Sequence, residues 1–324
     1  MVRLIDRRAA IAGLLSSPAM LLTEPAVGHD QVSERRSMEE ALRHVDPLLR
    51  QPLLPLPKRR AHIGAETLRS NRVGALAPVA PPSGIQHRLV PGLPGNPPVS
   101  VFIVAGPDAT TPRPVMLYLH GGGYVQGNTA TSFPRFEGLK QWARDHRCTI
   151  VSVDYRLAPE TPFPGALNDA YAVLLWLHRY AMALDIDRER IILAGESAGG
   201  GLAAALAIFA RDKGEVPVRF QLLIYPMLDD RTGIRGLVSP GAGTFIFTPE
   251  SNRYCWSSYL GVLAGSAHVP KGAVPARVND LRGLPPCFIG VGTADLFVDE
   301  DIAFARRLVA AGVPTDLLVV PGAY

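Results

Sequence analysis

An α/β fold, with a mostly parallel sheet covered by helices on both faces, is predicted by three features of the sequence. Short apolar, β-branched runs alternate with helical stretches along most of the chain. One such run, Arg190 to Ala194, passes straight into Gly195-Glu196-Ser197-Ala198-Gly199 and then into Leu202 to Lys213, which is rich in the helix formers Ala and Leu. A second run, Val115 to Leu119, is followed at once by His120-Gly121-Gly122-Gly123, 77 residues before the serine. At 324 residues, one large domain with inserts fits better than two independent folds. A hydrophobic content of 47% is enough for a substantial core.

Gly195-x-Ser197-x-Gly199, set between a strand and a helix, has the form of a nucleophile elbow: a sharp turn that presents a serine hydroxyl at the end of a sheet. The bland alternative is a Gly-rich helix entry with an inert serine. The loop His120-Gly121-Gly122-Gly123 weighs against it. In serine hydrolases such a loop offers backbone N–H groups to the oxyanion that develops on the attacked carbonyl, beside the N–H of the residue after the nucleophile. The donors read from this sequence are Gly121, Gly122 and Ala198. His120 opens the loop and is read as orienting it through a hydrogen bond, not as a base.

The acid of such a site follows a late strand. Pro286 to Val291 is a run of that kind, and Asp295 lies in the turn behind it. Asp299, Glu300 and Asp301 compete, but they open a helix, Ile302 to Ala311, where negative charge suits the N-terminus. One more strand, Thr315 to Val320, leads to Pro321-Gly322-Ala323-Tyr324, and no histidine follows Asp295. His29, His44, His62 and His87 lie in the N-terminal part, His146 ends a helix, His178 lies on another and His268 sits in a loop. All are read as exposed or structural.

Taken together, the motifs resemble the hormone-sensitive-lipase-like branch of the α/β-hydrolases, a group that contains many bacterial carboxylesterases. The matching pieces are His120-Gly121-Gly122-Gly123-Tyr124, Asp154-Tyr155-Arg156-Leu157-Ala158-Pro159-Glu160, Gly195-Glu196-Ser197-Ala198-Gly199-Gly200, Tyr225-Pro226-Met227-Leu228 and Gly292-Thr293-Ala294-Asp295. They keep the branch's order and spacing from about Ser37 to Tyr324. The resemblance implies Ser197 as nucleophile and Asp295 as acid. It implies a helical cap made of residues 31–84 and of an insert near 228–265 in a catalytic domain spanning 85–324. The branch's loop after the last strand resembles Pro-Gly-x-x-His, so the histidine is expected immediately beyond Tyr324, with the catalytic domain truncated before it. No metal or organic cofactor is implied.

The remaining elements follow from local chemistry. Ser37 to Arg50 reads as a helix with Ser37 as N-cap and Glu40 completing a capping box, stopped by Pro52, Pro55 and Pro57. Ile85 to Val90 and Ser100 to Val104 are strands around a Pro/Gly-rich turn, and Ile150 to Asp154 is another. Pro159, Pro162 and Pro164 force an extended segment before a helix from Ala166 to Arg179. Asp154, Arg156 and Glu160 are read as structural, pairing beneath the site. Phe220 to Tyr225 is the strand after the nucleophile helix. The insert holds a Gly-rich stretch, Gly233 to Gly243, and a helical piece, Pro249 to Leu260. Its Tyr254, Trp256 and Tyr259 are read mainly as packing, with an acyl pocket as the alternative.

Charge and cysteines narrow the function classes. The first 72 residues hold 12 basic and 8 acidic side chains, so the whole excess of +4 sits there. No basic stripe with aromatics appears, which argues against nucleic acid. Cys148, Cys255 and Cys287 lack metal-ligand spacing and read as buried packing. Arg3, Arg7 and Arg8 precede a 14-residue apolar stretch, Ala9 to Leu22, too short for a stable membrane span. Residues 1–30 are therefore expected to be an export signal, placing the protein in the periplasm or outside the cell. A disordered extension on a cytoplasmic protein is the alternative.

The expected activity is hydrolysis of small, short-acyl carboxylic esters through an acyl-enzyme. A homodimer is left open. Two other readings stay in view: an amidase or lactonase on the same machinery, and a non-catalytic ligand-binding protein, as the plant gibberellin receptors of this branch are.

Overall fold

The computed structural model describes residues 30–56, 62–73, 81, 83–107, 110–128, 133–234 and 238–324. The expected export signal lies outside them apart from Asp30, and so does the middle of the Gly-rich stretch, 235–237.

Eight strands form one sheet: β1 (Ile85–Val90), β2 (Val99–Val104), β3 (Arg113–Leu119), β4 (Thr149–Asp154), β5 (Ile186–Glu196), β6 (Phe220–Ile224), β7 (Cys287–Gly292) and β8 (Thr315–Val320). Their order is β1-β2-β4-β3-β5-β6-β7-β8. β1 and β2 are antiparallel to their neighbours, and every pair from β4 to β8 is parallel. The period of two along β3 shows how the sheet is buried on both sides. Val115, Leu117 and Leu119 enter one core, while Met116 and Tyr118 enter the other.

Helices cover both faces. The larger core takes residues from α4 (Gly165–Arg179), α5 (Ala198–Lys213), α6 (Pro249–Leu260) and α7 (Val298–Ala310). The smaller core takes Leu139 and Ala143 from α3 (Phe133–Asp145). Cys148 and Cys287 lie at or beside strand starts, and all three cysteines are buried and free. On α6, Trp256 and Tyr259 are fully buried, with Tyr259 stacked on Tyr124 at 4.0 Å between centroids. Burial supports the packing reading of these aromatics.

The N-terminal segment departs from expectation. Helix α1 runs Asp30–Leu42, so Ser37 lies inside it and is not its N-cap. Two 3₁₀ turns follow, Pro47–Leu49 and Gln51–Leu53. Asp46 caps the first by accepting the Leu48 N–H at 2.8 Å, and Pro47 fills its first position. A proline without an N–H cannot extend the preceding helix, so the break comes before Pro52. Helix α2 (Ala65–Val73) then buries Leu68 in the larger core. This segment meets the rest at defined points. The Ile63 N–H donates to Ser251 Oγ at 2.9 Å, and the Asp46 N–H donates to the Gly322 carbonyl at 3.0 Å.

No helix among the described residues is long and apolar enough to cross a membrane.

Candidate active site

Parallel strands deliver their C-terminal loops to one edge, where α/β folds place their chemistry. The loops after β3, β5, β6, β7 and β8 all open there. Between adjacent parallel strands, Leu119 pairs with Gly195, Glu196 with Ile224, Ile224 with Gly290, and Gly292 with Val320.

Ser197 sits at φ 54° and ψ −124°, between the last residue of β5 and the first of α5. A left-handed φ is costly for a residue with a Cβ and marks a strained turn. The turn is locked by the chain around it. The Ser197 N–H donates to the Ile224 carbonyl at 2.9 Å, and the Ser197 carbonyl accepts from Met227 N at 2.9 Å and Gly201 N at 3.0 Å. A Cβ on Gly199 would lie 2.1 Å from the Leu119 carbonyl oxygen, so this position must be glycine for β3 and α5 to meet. Ala198 opens α5, and its N–H therefore lies outside the helical ladder.

The loop after β3 folds over the serine. A Cβ built on Gly121 would stand 3.4 Å from the Ser197 Cβ. His120 Nδ1 lies 2.7 Å from the Gly121 carbonyl oxygen and so donates to it. Its ring stacks on Tyr155 at 4.3 Å, and the Tyr155 hydroxyl donates to the His120 carbonyl at 2.6 Å. Fixing the Gly121 carbonyl fixes the plane of the Gly121–Gly122 peptide, and with it the direction of the Gly122 N–H. Gly122 itself has φ 122°, and a Cβ there would lie 2.1 Å from the Gln126 carbonyl oxygen. The Gly121 N–H donates to Glu196 Oε1 at 3.0 Å. The other oxygen of Glu196 accepts the Tyr118 hydroxyl. Glu196 is buried, and its part in holding this loop was not read from the sequence. The available signal was a carboxylate in the variable position of Gly195-x-Ser197, at the end of an apolar strand.

The four late acids separate by environment. Asp295 lies in the turn after β7, where its Oδ1 accepts the Phe297 N–H at 2.8 Å. Burial pushes its carboxyl up to about 7. Asp299 is exposed and accepts from the Ser239 hydroxyl at 3.0 Å. Glu300 accepts the N–H groups of Leu228 and Asp229 at 2.6 and 3.1 Å, together with the Thr232 hydroxyl. Asp301 is fully buried, with neither carboxyl oxygen hydrogen-bonded. Burial, then the charges of Glu300 and Asp295, raise its pKa well above the usual range. All three of Asp299, Glu300 and Asp301 fall in the first turn of α7.

The turn after β8 is stitched to the turn that carries Asp295. The Ala294 N–H donates to the Ala323 carbonyl at 2.8 Å, and the Gly322 N–H donates to Thr293 Oγ1 at 2.8 Å. Of the histidines, His120 is buried at the site edge, with its Nδ1 proton committed to Gly121. His44, His62, His87, His146 and His268 are exposed. Arg156 pairs with Asp169 at 2.7 Å, and Glu160 pairs with Arg72, so these motif residues are structural, with partners the sequence did not identify. Among the described residues, no cluster of His, Cys, Asp and Glu is arranged to hold a metal.

Comparison with known proteins agrees with this architecture. A family model described as the alpha/beta hydrolase fold matches residues 116–324. The chain is 34% identical over 282 residues to carboxylesterase NlhH of Mycobacterium tuberculosis, covering 84% of this chain and 85% of that protein. It is 32% identical over 231 residues to an ethyl acetate hydrolase of Pseudomonas putida, covering 69% of each. Among solved structures, esterase LipW from Mycobacterium marinum aligns with a TM-score of 0.73 at 38% identity, covering 88% of both chains. A bacterial heroin esterase aligns with a TM-score of 0.71 at 36% identity, covering 87% of this chain and 90% of that one. The chain belongs to the α/β-hydrolase fold family and is an enzyme of its hormone-sensitive-lipase-like carboxylesterase branch.

Proposed function

We propose that this protein hydrolyses small, short-acyl carboxylic esters through a serine-bound acyl-enzyme. The observation that carries the proposal is the strained Ser197 turn, with the Gly121–Gly122 loop folded against it. Ser197 Oγ attacks the carbonyl. The N–H groups of Gly122 and Ala198 receive the oxyanion, while the Gly121 N–H is held by Glu196 and anchors the loop. Asp295 orients the general base and stabilises the charge it acquires.

The family resemblance assigns this base to a histidine of the loop after β8. The stitching of Ala323 to Ala294 supports this, because it holds the loop after β8 beside the Asp295 turn. β5 and β7 are two strand spacings apart, about 10 Å, a gap an imidazole between serine and aspartate can bridge. The relatives named for ethyl acetate and heroin hydrolysis support small esters as the substrate class. Residues 31–84 and the insert near 228–265, joined through Ile63 and Ser251, act as the cap. We place export to the periplasm or beyond the cell as part of the same reading.

The test uses two forms of the protein: the chain ending at Tyr324, and one extended by histidine and an amphipathic helix. Each is assayed on p-nitrophenyl acetate and butyrate beside its Ser197→Ala variant. The extended form is expected to turn over in a Ser197-dependent way, and the shorter form to be nearly inactive. Removing a triad histidine cost about 10⁶ in kcat in a well-studied serine hydrolase. Ordinary Ser197-dependent turnover by the shorter form would place the base among the histidines already present.

A further inference from the structure

One cation of the N-terminal segment reaches into the site's supporting loops. Arg72 stands in the last turn of α2, and its guanidinium spends its donors on backbone oxygens. Nε donates to the Val125 carbonyl at 2.9 Å, and Nη2 reaches the same oxygen. Nη2 also donates to the Ala158 carbonyl at 2.6 Å, and Nη1 pairs with Glu160. Val125 is fully buried. A buried carbonyl deprived of its donor is costly, so this contact fixes where the carbonyl can lie.

Val125 is the far end of the turn that begins at Gly122. The Gly122 carbonyl accepts both Val125 N–H and Gln126 N–H at 3.1 Å. The two loops held by Arg72 are also joined to each other, since the Ala158 N–H donates to the Tyr124 carbonyl at 2.9 Å. The turn is thus held from two sides: at Gly121 by His120 and Glu196, and at Val125 by Arg72. The first pair belongs to the sheet and its loops. Arg72 belongs to the N-terminal segment.

We propose that Arg72 is a positioning residue for the oxyanion loop, so that docking of the N-terminal segment is a condition for a correctly aimed Gly122 N–H. The inference rests on the esterase reading above. The force is local: without Arg72 the Val125 carbonyl must turn to find a donor, and the Gly122–Gln126 turn moves with it. A lysine cannot substitute, because one ammonium on a flexible stem does not span the Val125 and Ala158 oxygens as a planar fork does.

The experiment compares Arg72→Met, Arg72→Lys and Glu160→Gln, the last severing only the half-exposed ion pair. Kinetics on p-nitrophenyl acetate are measured in whichever form shows Ser197-dependent turnover, and amide exchange is followed at Val125 and Gln126. In Arg72→Met, kcat is expected to fall about 10- to 100-fold with KM within about twofold, as for a misplaced transition-state donor. The Val125 and Gln126 amides should exchange about tenfold faster or more, since their shared acceptor is released. Arg72→Lys should recover less than half of the kcat loss, and Glu160→Gln should stay within about twofold of the parent. If Arg72→Met does not fold, Arg72→Lys carries the comparison. Unchanged exchange at both amides, or a raised KM at constant kcat, would overturn the proposal. Absence of Ser197-dependent turnover in every form would instead remove the esterase reading, while the exchange measurement still decides whether Arg72 holds the turn.

Discussion

Glu196 Oε1 accepts the backbone N–H of Gly121 at 3.0 Å across the two neighbouring strands that carry the site. The carboxylate next to Ser197 thus grips the loop that lies over it. Replacing Glu196 with Ala takes from the Gly121 N–H and the Tyr118 hydroxyl the acceptor that Glu196 gives them. A stability loss of about 1–3 kcal/mol is expected from each such group. The loop shift should lower kcat by about 10- to 100-fold. Glu196→Gln keeps an acceptor and should fall between. Urea unfolding and steady-state kinetics on the three proteins check this, and parent-like kinetics in Glu196→Ala would show that the loop is held by other contacts alone.

Ser197 stands on an unfavourable backbone. Its φ of 54° suits glycine, so Ser197→Gly should abolish turnover yet raise stability by on the order of 1 kcal/mol. Ser197→Ala should abolish turnover without that gain. Denaturation midpoints for both variants test the strain, and equal midpoints would show that the turn stores none. In the form that turns over, a fluorophosphonate probe should label Ser197 alone, with labelling lost in both variants.

Gly122 is expected to tolerate no side chain. A Cβ there would collide with the Gln126 carbonyl oxygen at 2.1 Å. Gly122→Val should therefore displace the peptide and cost about 10²–10³ in kcat. A loss below about threefold in a folded variant would remove Gly122 from the oxyanion site.

Asp295 and Asp299 separate in the same assay. Asp295→Asn should cost roughly 10⁴ in kcat in the form that turns over, because a carboxylate that orients the base is lost. Asp299, exposed and bonded to Ser239, should be replaceable by Asn within about threefold. The reverse ranking would move the acid to Asp299.

The buried acids set a pH dependence of stability. Asp295 holds its proton up to about 7 when folded, against its ordinary 3.8. Between those values the folded state binds more protons at this group than the unfolded chain does, so the contribution of Asp295 to stability is greatest below about pH 4 and falls as pH rises toward 7. Asp301 acts in the same direction, its carboxyl raised by burial and by Glu300. Asp301→Asn should match the parent in acid and exceed it in urea midpoint at pH 8. Parallel midpoints across that range would mean that Asp301 is not held in its protonated form.

Much of this protein is determined by sequence alone, and the reason is local. β5, the serine turn and α5 are specified by a β-branched run, four glycines and an Ala-rich stretch within about 25 consecutive positions. The strands β1 and β8 and the helix α6 have the bounds that composition and turn residues predict. His120 was legible for the same reason, since its partner is the next residue. The end of α1 is also local: Pro47, five positions before Pro52, already opens the first 3₁₀ turn after it. What only tertiary structure decided are contacts between residues far apart in sequence. Glu196 meets Gly121 across 75 residues, and Arg72 meets Val125 across 53. The different surroundings of Asp299, Glu300 and Asp301 are likewise invisible in a run of acids, because burial and nearby donors separate them only once β7, α7 and the segment after β6 have packed. Hydrogen bonds and desolvation act over a few ångströms of space, and chain order does not record that distance.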